Sequence, residues 1–473
     1  MGTPFAYLFH TPFAAYAYDV GKNNVIRLSE ELYSYLQAIK ENDTVCLAEE
    51  VEKQIRELHE MGYLLDKRPS KIEHPMTSVV EYLLDRRLEK ITLQITQQCN
   101  FRCKYCVYSE VDNLKQRAHS NKVMSFELAK QAIDFFCCHS VDSASRNIGF
   151  YGGEPMLEFD LLKRIVSYAE RKLEGKDLTF NITTNGSLLN EENAQYLQDH
   201  HFFVTLSFDG PQEIQNKYRV FPNGSGTYGV VRRNLIMLSE KFPELYATLN
   251  INMVINPDND YSHIDEFVRS LPRFHGLKIM ANMVENTDND VEPTAEFAEE
   301  YRYQMFRSLL SELKAVDQYY SPLCYGSAHE ATLGQKGFSV HEGMADVVIP
   351  SGTCIPGKNR LFITTEGKLF ACEKVNENDE MCIGNLSDGI NVDKVKRQLN
   401  ACSETEGDCC NCWALHLCSF CPKVDNVCGD PHGEKRKRIC NVIRGNAAFK
   451  LQSIVLMNEI RQRFGGLLSG GRS

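Results

Sequence analysis

Three cysteines near residue 100 have the spacing to hold an iron–sulfur cluster. Cys99, Cys103 and Cys106 form a C-x3-C-x2-C triplet. Three thiolates can bind three irons of a [4Fe–4S] cube and leave the fourth iron open to a small molecule, which that iron can reduce. Zinc is the competing interpretation, but zinc sites usually have four ligands in paired C-x2-C spacings, and the sequence offers no nearby fourth ligand. The triplet therefore predicts a cluster with one open iron.

A second group of cysteines lies toward the C-terminus. The chain has 18 cysteines in 473 residues, and twelve of them lie from Cys324 to Cys440. The first residues do not have the pattern of a secretory signal, and no apolar run is long enough to span a membrane. We therefore expect a cytoplasmic protein without a membrane partner, in which cysteines are more often metal ligands than disulfides. The stretch Cys409-x2-Cys412-x5-Cys418-x2-Cys421 by itself leaves zinc and iron–sulfur open.

The overall composition narrows the class of partner. Hydrophobic residues make up 43% of the chain and charged residues 24%, as in ordinary globular proteins. The formal net charge of −11 argues against a general nucleic-acid binder, which would usually present a basic surface.

Strand-like and helix-like segments alternate after residue 90, which predicts an α/β fold with a parallel sheet, a partial (β/α)6 barrel. The predicted strands are Ile91–Ile95, Asn147–Tyr151, Leu178–Thr183, Phe203–Phe208, Thr248–Val254 and Leu277–Ala281. The predicted helices between them are Ser125–Cys138, Asp160–Leu173, Glu191–Asp199, Thr227–Leu238 and Tyr261–Ser270. Functional residues of such barrels sit at the carboxyl ends of the strands, and the cysteine triplet follows the first strand.

Polar and glycine-rich segments follow the next three strands as well. Their candidate binding residues are Gly152, Gly153, Glu154, Thr184, Ser207, Asp209 and, slightly later, Arg219. Glycines allow close approach of the backbone, a buried carboxylate can accept from an ammonium group, and an arginine can clamp a carboxylate. Together these segments predict one site suited to an amino acid joined to a ribose.

The triplet with Tyr105, followed by Gly152-Gly153-Glu154-Pro155, resembles the radical S-adenosylmethionine (radical SAM) superfamily over residues 91 to 290. The resemblance implies that the triplet holds a [4Fe–4S] cluster whose open iron is chelated by SAM. It implies that Gly152, Gly153 and Glu154 bind the methionyl amine and Arg219 the carboxylate. Thr184, Ser207 and Asp209 would line the ribose, with Tyr105 near the adenine. The family cleaves SAM to a 5′-deoxyadenosyl radical that abstracts a hydrogen atom.

The C-terminal cysteines resemble the SPASM extension, which holds two auxiliary [4Fe–4S] clusters, for three clusters in all. The resemblance assigns Cys354, Cys372 and Cys421 to the first cluster and Cys409, Cys412, Cys418 and Cys440 to the second. The segment Val347–Thr353 lacks a cysteine that the family often has, so either Cys324 is the fourth ligand of the first cluster or one iron stays open. Two further ligand assignments also remain open. Cys428 competes with Cys440, and Cys410 competes with Cys409.

Residues 1–88 are predicted to form a winged-helix-like domain. Its predicted elements are strands Ala14–Val20 and Asn24–Leu28, helices Glu30–Lys40 and Ala48–Met61, and a closing strand Tyr63–Leu65. Such a unit is either a packing or dimerisation module or a module that binds the leader of a peptide as an added strand. The remaining predicted domains are the barrel at 89–295, a helical bridge at 296–345, the SPASM domain at 346–445, and a C-terminal helix and tail at 446–473.

The whole chain resembles peptide maturases of the sactipeptide and ranthipeptide type, which join a cysteine sulfur to a carbon of another residue. This resemblance implies a cysteine-containing precursor peptide and an electron donor such as flavodoxin or ferredoxin as partners. A sulfatase-type maturase that makes formylglycine competes with this interpretation, with Glu373 placed as its catalytic base. The sequence also leaves open an enzyme that crosslinks peptides through carbon–carbon bonds and, without catalysis, a zinc-stabilised peptide-binding protein.

Overall fold

The computed structural model describes residues 2–43, 48–106, 119–272, 277–284, 294–313, 315–316, 324, 339–350, 354–421, 423 and 432–469. The chain divides into two compact units. The barrel unit comprises Ser78–Arg302 and Cys354–Leu399. The terminal unit comprises Met1–Thr77, Tyr303–Thr353 and Asn400–Ser473. Among the helices that the structure describes, none is long and apolar enough to cross a membrane.

The strands that the structure describes are labelled β1 to β15 in chain order. They are β1 Ala6–His10, β2 Ala15–Asp19, β3 Asn24–Leu28, β4 Lys71–Ile72, β5 Lys90–Thr96, β6 Arg146–Gly152, β7 Leu178–Thr184, β8 Phe202–Ser207, β9 Asn250–Ile255, β10 Lys278–Met283, β11 Val347–Val348, β12 Leu361–Ile363, β13 Lys368–Phe370, β14 Cys382–Asn385 and β15 Gly389–Ile390.

The described α-helices are numbered in the same way. They are α1 Glu30–Lys40, α2 Glu49–Glu60, α3 Val80–Arg86, α4 Phe126–His139, α5 Phe159–Lys172, α6 Glu191–Asp199, α7 Gln212–Tyr218, α8 Tyr228–Lys241, α9 Pro243–Ala247, α10 Tyr261–Ser270, α11 Ala295–Glu312, α12 Val392–Leu399, α13 Glu406–Cys410 and α14 Glu434–Ser469.

The barrel unit is built on one sheet in the order β10-β9-β8-β7-β6-β5-β12-β13-β14-β15. Strands β5 to β10 pair in parallel, each with the next along the chain. All six predicted barrel strands are present, with ends within two residues of the prediction. Since the strands run in parallel, their carboxyl ends lie along one edge of the sheet. The α/β prediction is confirmed.

A hairpin from the C-terminal half extends this sheet. Strand β12 pairs in parallel with β5, with Leu361 opposite Ile91, and β13 returns antiparallel beside it. Residues 354–399 therefore group with the barrel, whereas the predicted boundaries placed them in a separate SPASM domain. Three-residue strands leave too short a pattern in a sequence to indicate which distant edge they will join.

The terminal unit contains a three-stranded antiparallel sheet in the order β1-β2-β3. Side chains of β2 alternate between two cores: Ala15 and Ala17 pack with α1 and α2, whereas Tyr16 and Tyr18 pack with residues from the C-terminal region. The strand is therefore buried on both faces. The N-terminal sheet consequently shares its second core with residues that follow position 400.

Two predictions in this region were wrong. Strand β1 was missed, and residues 63–65 do not form the predicted closing strand. Leu64 has a φ of +56°, which a β-strand cannot accommodate. Its amide instead donates to the buried carboxylate of Asp19 at 2.6 Å, so a single buried hydrogen bond outweighs the strand-like pattern of the segment.

Candidate functional site

The cysteine triplet lies in the loop that follows β5, at the carboxyl edge of the barrel sheet. The loop is held by backbone hydrogen bonds to the segment after α7: the amide of Arg102 donates to Val220 O at 2.7 Å, and that of Lys104 to Tyr218 O at 2.9 Å. The Cys99 sulfur accepts from the amide of Phe101 at 3.4 Å. These bonds define the path of the loop through residues 99–104.

The end of β6 approaches this loop so closely that two glycines are required. Gly153 N donates to Thr96 O at 2.9 Å, and Glu154 N donates to Gln98 O at 2.8 Å. A Cβ on Gly152, whose φ is +133°, would lie 2.1 Å from Thr96 O, and one on Gly153 would lie 1.9 Å from Gln98 O. The glycines therefore serve the packing of the cysteine loop itself, a role that the sequence interpretation did not give them.

Glu154 is buried at the centre of this edge, with 1% of its surface exposed. Its carboxylate accepts from Thr184 Oγ1 at 2.7 Å, from the Asn185 amide at 2.7 Å and from the Met156 amide at 3.0 Å. Burial raises the pKa of Glu154 to about 7, although the three hydrogen bonds oppose the shift. Such a carboxylate gains most from a positively charged or hydrogen-bonding ligand beside it.

Asn185 is a site residue that the sequence interpretation passed over. Its side-chain nitrogen donates to Asn100 Oδ1 at 2.8 Å and lies 3.9 Å from the Cys99 sulfur. It joins the end of β7 to the cysteine loop, just as its amide joins β7 to Glu154. The sequence signal was the Thr184-Asn185-Gly186 turn at a predicted strand end, where only the threonine was selected.

Asp209, Arg219 and Tyr105 form a second polar network beside the triplet. Arg219 donates to both carboxylate oxygens of Asp209, from Nε at 2.8 Å and from Nη2 at 2.9 Å, and both side chains are buried. The Tyr105 hydroxyl also donates to Asp209, and Arg219 makes a side-chain hydrogen bond to Cys103. The network thus links the end of β8 to two residues of the loop. Ser207, at the last position of β8, is also buried.

The thiols of the loop suit a metal cluster. Burial raises the pKa of Cys99 to about 12 and that of Cys103 to about 11. The negative charges of Cys103 and Cys106 add to the rise in the pKa of Cys99, so the three thiols lie within reach of one another's charge. Buried thiols become thiolates when a metal supplies the compensating charge, so this donor set fits an iron–sulfur cluster.

A second group of cysteines surrounds one cavity of about 550 Å³ in the terminal unit. The four cysteines assigned to the second auxiliary cluster all line it. The lining cysteines are Cys402, Cys409, Cys412, Cys418 and Cys440. Arg436, Lys437 and Arg444 also line it and bring positive charge, which suits a cluster carried by several thiolates.

The structure separates the neighbouring cysteines that the sequence left open. Cys409 lines the cavity, whereas Cys410 is buried in a hydrophobic cluster. Consecutive residues of helix α13 point in different directions, which explains the separation. Cys440 lines the cavity, and Cys428 lies outside the described residues. Cys402, which the prediction did not include, is the fifth lining cysteine.

The cysteines assigned to the first auxiliary cluster fall in both units. Cys354 and Cys372 belong to the barrel unit, and Cys324 and Cys421 belong to the terminal unit. Among the described residues, no three His, Cys, Asp or Glu side chains converge tightly enough to hold a single metal ion. The thiolates of a cube bind different irons, so they need not converge on one point.

Glu373 lies at the opposite end of β5 from the cysteine triplet. Its carboxylate pairs with Arg360 at 2.6 Å, and Arg360 directly precedes β12, whose first residue is aligned with Ile91 near the start of β5. At about 3.3 Å per residue, the seven-residue strand β5 separates the two ends by roughly 20 Å. The structure therefore does not bring Glu373 to the triplet.

Comparison with known proteins agrees with this geometry. Residues 93–271 match the Radical SAM superfamily model. The chain is 32% identical over 192 residues to the uncharacterized protein MJ0907 of Methanocaldococcus jannaschii, covering 40% of this chain and 60% of that protein. It is 27% identical over 189 residues to a cysteine-type anaerobic sulfatase-maturating enzyme of Clostridium novyi, covering 39% and 48%. The chain thus spans about half the length of the curated relatives it matches.

The fold also resembles a solved structure. The native anSMEcpe with bound AdoMet superimposes with a TM-score of 0.59 at 18% identity, covering 78% of this chain and 99% of that one. The same protein has been solved with AdoMet and the Cp18Cys peptide, with a TM-score of 0.56 at 16% identity and coverages of 79% and 100%. At this identity the likeness concerns the fold. The radical SAM family implies a [4Fe–4S] cluster and SAM as cofactors.

Proposed function

Because residues 93–271 carry a radical SAM domain, we propose that this chain modifies a ribosomally made precursor peptide by joining a cysteine sulfur to a carbon of another residue. One observation carries the proposal. At the barrel edge, Asn185 joins Cys99 of the triplet to the buried carboxylate of Glu154, while a separate cavity collects the cysteines expected of an auxiliary cluster. A radical site combined with further clusters suits oxidation of a large substrate.

The residues of the barrel edge are assigned to SAM as follows. Cys99, Cys103 and Cys106 would hold the cluster that, with SAM bound, supplies a 5′-deoxyadenosyl radical for hydrogen abstraction. Glu154 would accept a hydrogen bond from the methionyl amine, a further donor beside the three that already surround it. The close contacts of Gly152 and Gly153 keep this carboxylate against the loop.

Arg219 would meet the carboxylate of SAM without leaving Asp209. A guanidinium has five N–H donors, and Asp209 engages only Nε and Nη2. Asp209 would keep the arginine in place, and Tyr105 would remain tied to the same carboxylate near the adenine. Thr184 and Ser207 would complete the ribose side.

The substrate is proposed to be a peptide whose leader pairs with the N-terminal sheet. Among the described residues β1 and β3 each pair with β2 alone, so their outer edges have backbone groups for an added strand. The similarity to a sulfatase-maturating enzyme and to the peptide-bound anSMEcpe supports a protein or peptide substrate.

Formylglycine formation is the second candidate, favoured by the sulfatase-maturating relative. Its proposed base, Glu373, is engaged by Arg360 at 2.6 Å and lies at the end of β5 away from the cysteine triplet. We therefore rank the thioether first.

The test uses the full chain, reconstituted with iron and sulfide and incubated with SAM, a reductant and a cysteine-containing precursor peptide. We expect 5′-deoxyadenosine and a peptide that has lost two hydrogens and no longer reacts with iodoacetamide at one cysteine. An aldehyde that reacts with a hydrazide probe would establish formylglycine instead. Loss of two hydrogens with all thiols free would favour a carbon–carbon link. Bound zinc without sulfide would exclude the radical mechanism.

A further inference from the structure

The cysteine cavity of the terminal unit contains one thiol more than its cluster needs. Cys402 precedes the Cys409-x2-Cys412-x5-Cys418 pattern by seven residues and is 97% buried, with 3% of its surface exposed. It lines the cavity, as Cys409 does, and its sulfur accepts a hydrogen bond from Arg436 Nη2 at 4.0 Å. A buried thiol next to a proposed ligand either binds iron itself or acts on the ligand.

The number and spacing of the cysteines favour the second role. A [4Fe–4S] cube takes four protein ligands, and Cys409, Cys412, Cys418 and Cys440 already supply four sulfurs around the cavity. Cys402 lies outside the spaced pattern. Cys409 is therefore the ligand of the pair, and Cys402 is a buried neighbour of the cluster site.

Thr405 and Arg436 extend this arrangement. Thr405 Oγ1 lies 3.5 Å from the Cys409 sulfur and accepts from Arg436 Nη2 at 3.3 Å. Its hydrogen has one other acceptor, the carbonyl of Cys402 at 3.4 Å. A thiolate that carries negative charge is the stronger acceptor of the two. Thr405 therefore accepts from the arginine and donates to Cys409.

Arg436 approaches Cys402 and Thr405 from one side. Its Nη2 lies 4.0 Å from the Cys402 sulfur, so both residues accept from the same guanidinium. The guanidinium stacks on the ring of Phe420, 3.5 Å from its centroid, and is buried. The amide of Phe420 in turn donates to the sulfur of Cys418, a second proposed ligand. Packing thus holds a positive charge near two ligand sulfurs.

We propose that Thr405 and Arg436 are positioning residues: Thr405 donates a hydrogen bond to the Cys409 sulfur, Arg436 holds positive charge beside it, and together they raise the reduction potential of the cluster in this cavity. Hydrogen bonds and charge near the sulfurs stabilise the reduced, more negative cluster. A raised potential makes this cluster the better acceptor of the electron released when substrate is oxidised. The inference rests on the cluster proposed for this cavity.

The test is a redox titration followed by electron paramagnetic resonance. The full chain carrying Cys99→Ala, Cys103→Ala and Cys106→Ala serves as parent, so that the auxiliary clusters are observed alone. Thr405→Val is expected to keep the parent's iron content and to raise the oxidised-to-reduced ratio at fixed potential by about tenfold, the effect of one hydrogen bond to a charged group. Cys402→Ala is expected to keep the parent's iron content. For a one-electron couple, tenfold corresponds to about 59 mV.

Matched variants make the result specific. Thr405→Ser keeps the hydroxyl and should restore the parent's titration, and Cys410→Ala, which alters the buried neighbour outside the cavity lining, should leave it unchanged. Loss of about four irons in Cys402→Ala would make Cys402 a ligand and overturn the proposal, as would an unchanged titration in Thr405→Val. If Cys412→Ala removes no iron, the cluster assignment itself is wrong, which is a distinct failure.

Discussion

The two cysteine-rich sites of this protein are built in different ways. The triplet loop is surrounded by residues at the carboxyl ends of β5 to β8, neighbouring strands of one sheet. The cavity in the terminal unit is lined by residues from 350, from 402–420 and from 432–444, which reach it through short helices and loops. A sheet edge brings its residues together in a regular way that the order of strands already implies. The cavity exists only once distant segments have packed.

Their electrostatics differ in the same sense. At the barrel edge the charged groups are already matched, since Arg219 is paired with Asp209, and burial raises the pKa of Cys99 to about 12. In the cavity, burial likewise raises the pKa of Cys418 to about 11, but Thr405 Oγ1 lies 3.5 Å from the Cys409 sulfur and accepts from Arg436. Burial thus opposes free thiolates at both sites, and the second site adds a hydroxyl and a positive charge near one of its sulfurs.

Removing a triplet cysteine should have the largest effect. With Cys99→Ala we expect 5′-deoxyadenosine formation to fall below detection, because the SAM-binding cluster needs three thiolates, and iron to fall by about four per chain. Liquid chromatography with mass spectrometry and iron analysis measure both. Cys138→Ala, at an exposed position on α4, is the control. If Cys99→Ala forms 5′-deoxyadenosine within tenfold of the level made by the unsubstituted protein, the triplet is not the radical site.

Removing a cavity cysteine should separate the two regions. With Cys412→Ala we expect the protein to lose about four irons and its peptide-modifying activity. SAM cleavage without peptide should stay within a few-fold of the rate of the unsubstituted protein. The residues that position the triplet belong to another compact unit. The same assays apply, with Cys410→Ala as the control. Equal loss of both activities would mean that the two sites do not act independently.

The buried ion pair beside the triplet should dominate local stability. Arg219→Met leaves the carboxylate of Asp209 buried without its bidentate partner, and we expect it to cost about 3 to 5 kcal/mol of unfolding free energy. Urea unfolding measures the change. Arg56→Met, which removes an exposed pair with Glu52 on α2, should cost no more than about 0.5 kcal/mol. If the two variants lose similar amounts of unfolding free energy, the buried ion pair stabilises the protein no more than the exposed one.

The pH dependence of Glu154 should give the smallest effect. Its pKa is raised to about 7 in the folded protein from an ordinary value of 4.5. The stabilisation that protonated Glu154 gives the folded protein is therefore complete below about pH 4.5 and is lost as pH rises through 7. The comparison uses the unsubstituted protein and Glu154→Gln, both prepared without clusters. Between pH 6 and 8, the unfolding free energy of the unsubstituted protein should fall by about 1 to 2 kcal/mol relative to that of Glu154→Gln. If the two proteins keep parallel profiles, another group carries the dependence.

Much of the barrel could be read from the sequence because its signals are local. Six apolar runs, the helices between them and the polar residues at their ends follow one another along the chain, and parallel pairing of neighbours then brings the ends together. The triplet, Glu154, Thr184 and Asp209 were found in this way. Asn185 is also a polar residue at the end of a predicted strand, but the sequence does not indicate which side chain of that turn faces the cysteine loop.

What the tertiary structure decided depends on contacts between distant segments. These are the pairing of β12 with β5, the two-sided burial of β2, the position of Glu373 beside Arg360, and the inclusion of Cys402 in the cavity. Short strands and loop cysteines have no period that indicates their partners. The sequence by itself therefore determined which polar and cysteine residues would meet at the barrel edge, and its spacing and its resemblance to a known family predicted the cofactor chemistry there. The surroundings of the second site were decided by packing, which depends on the shape and burial of residues far apart in the chain.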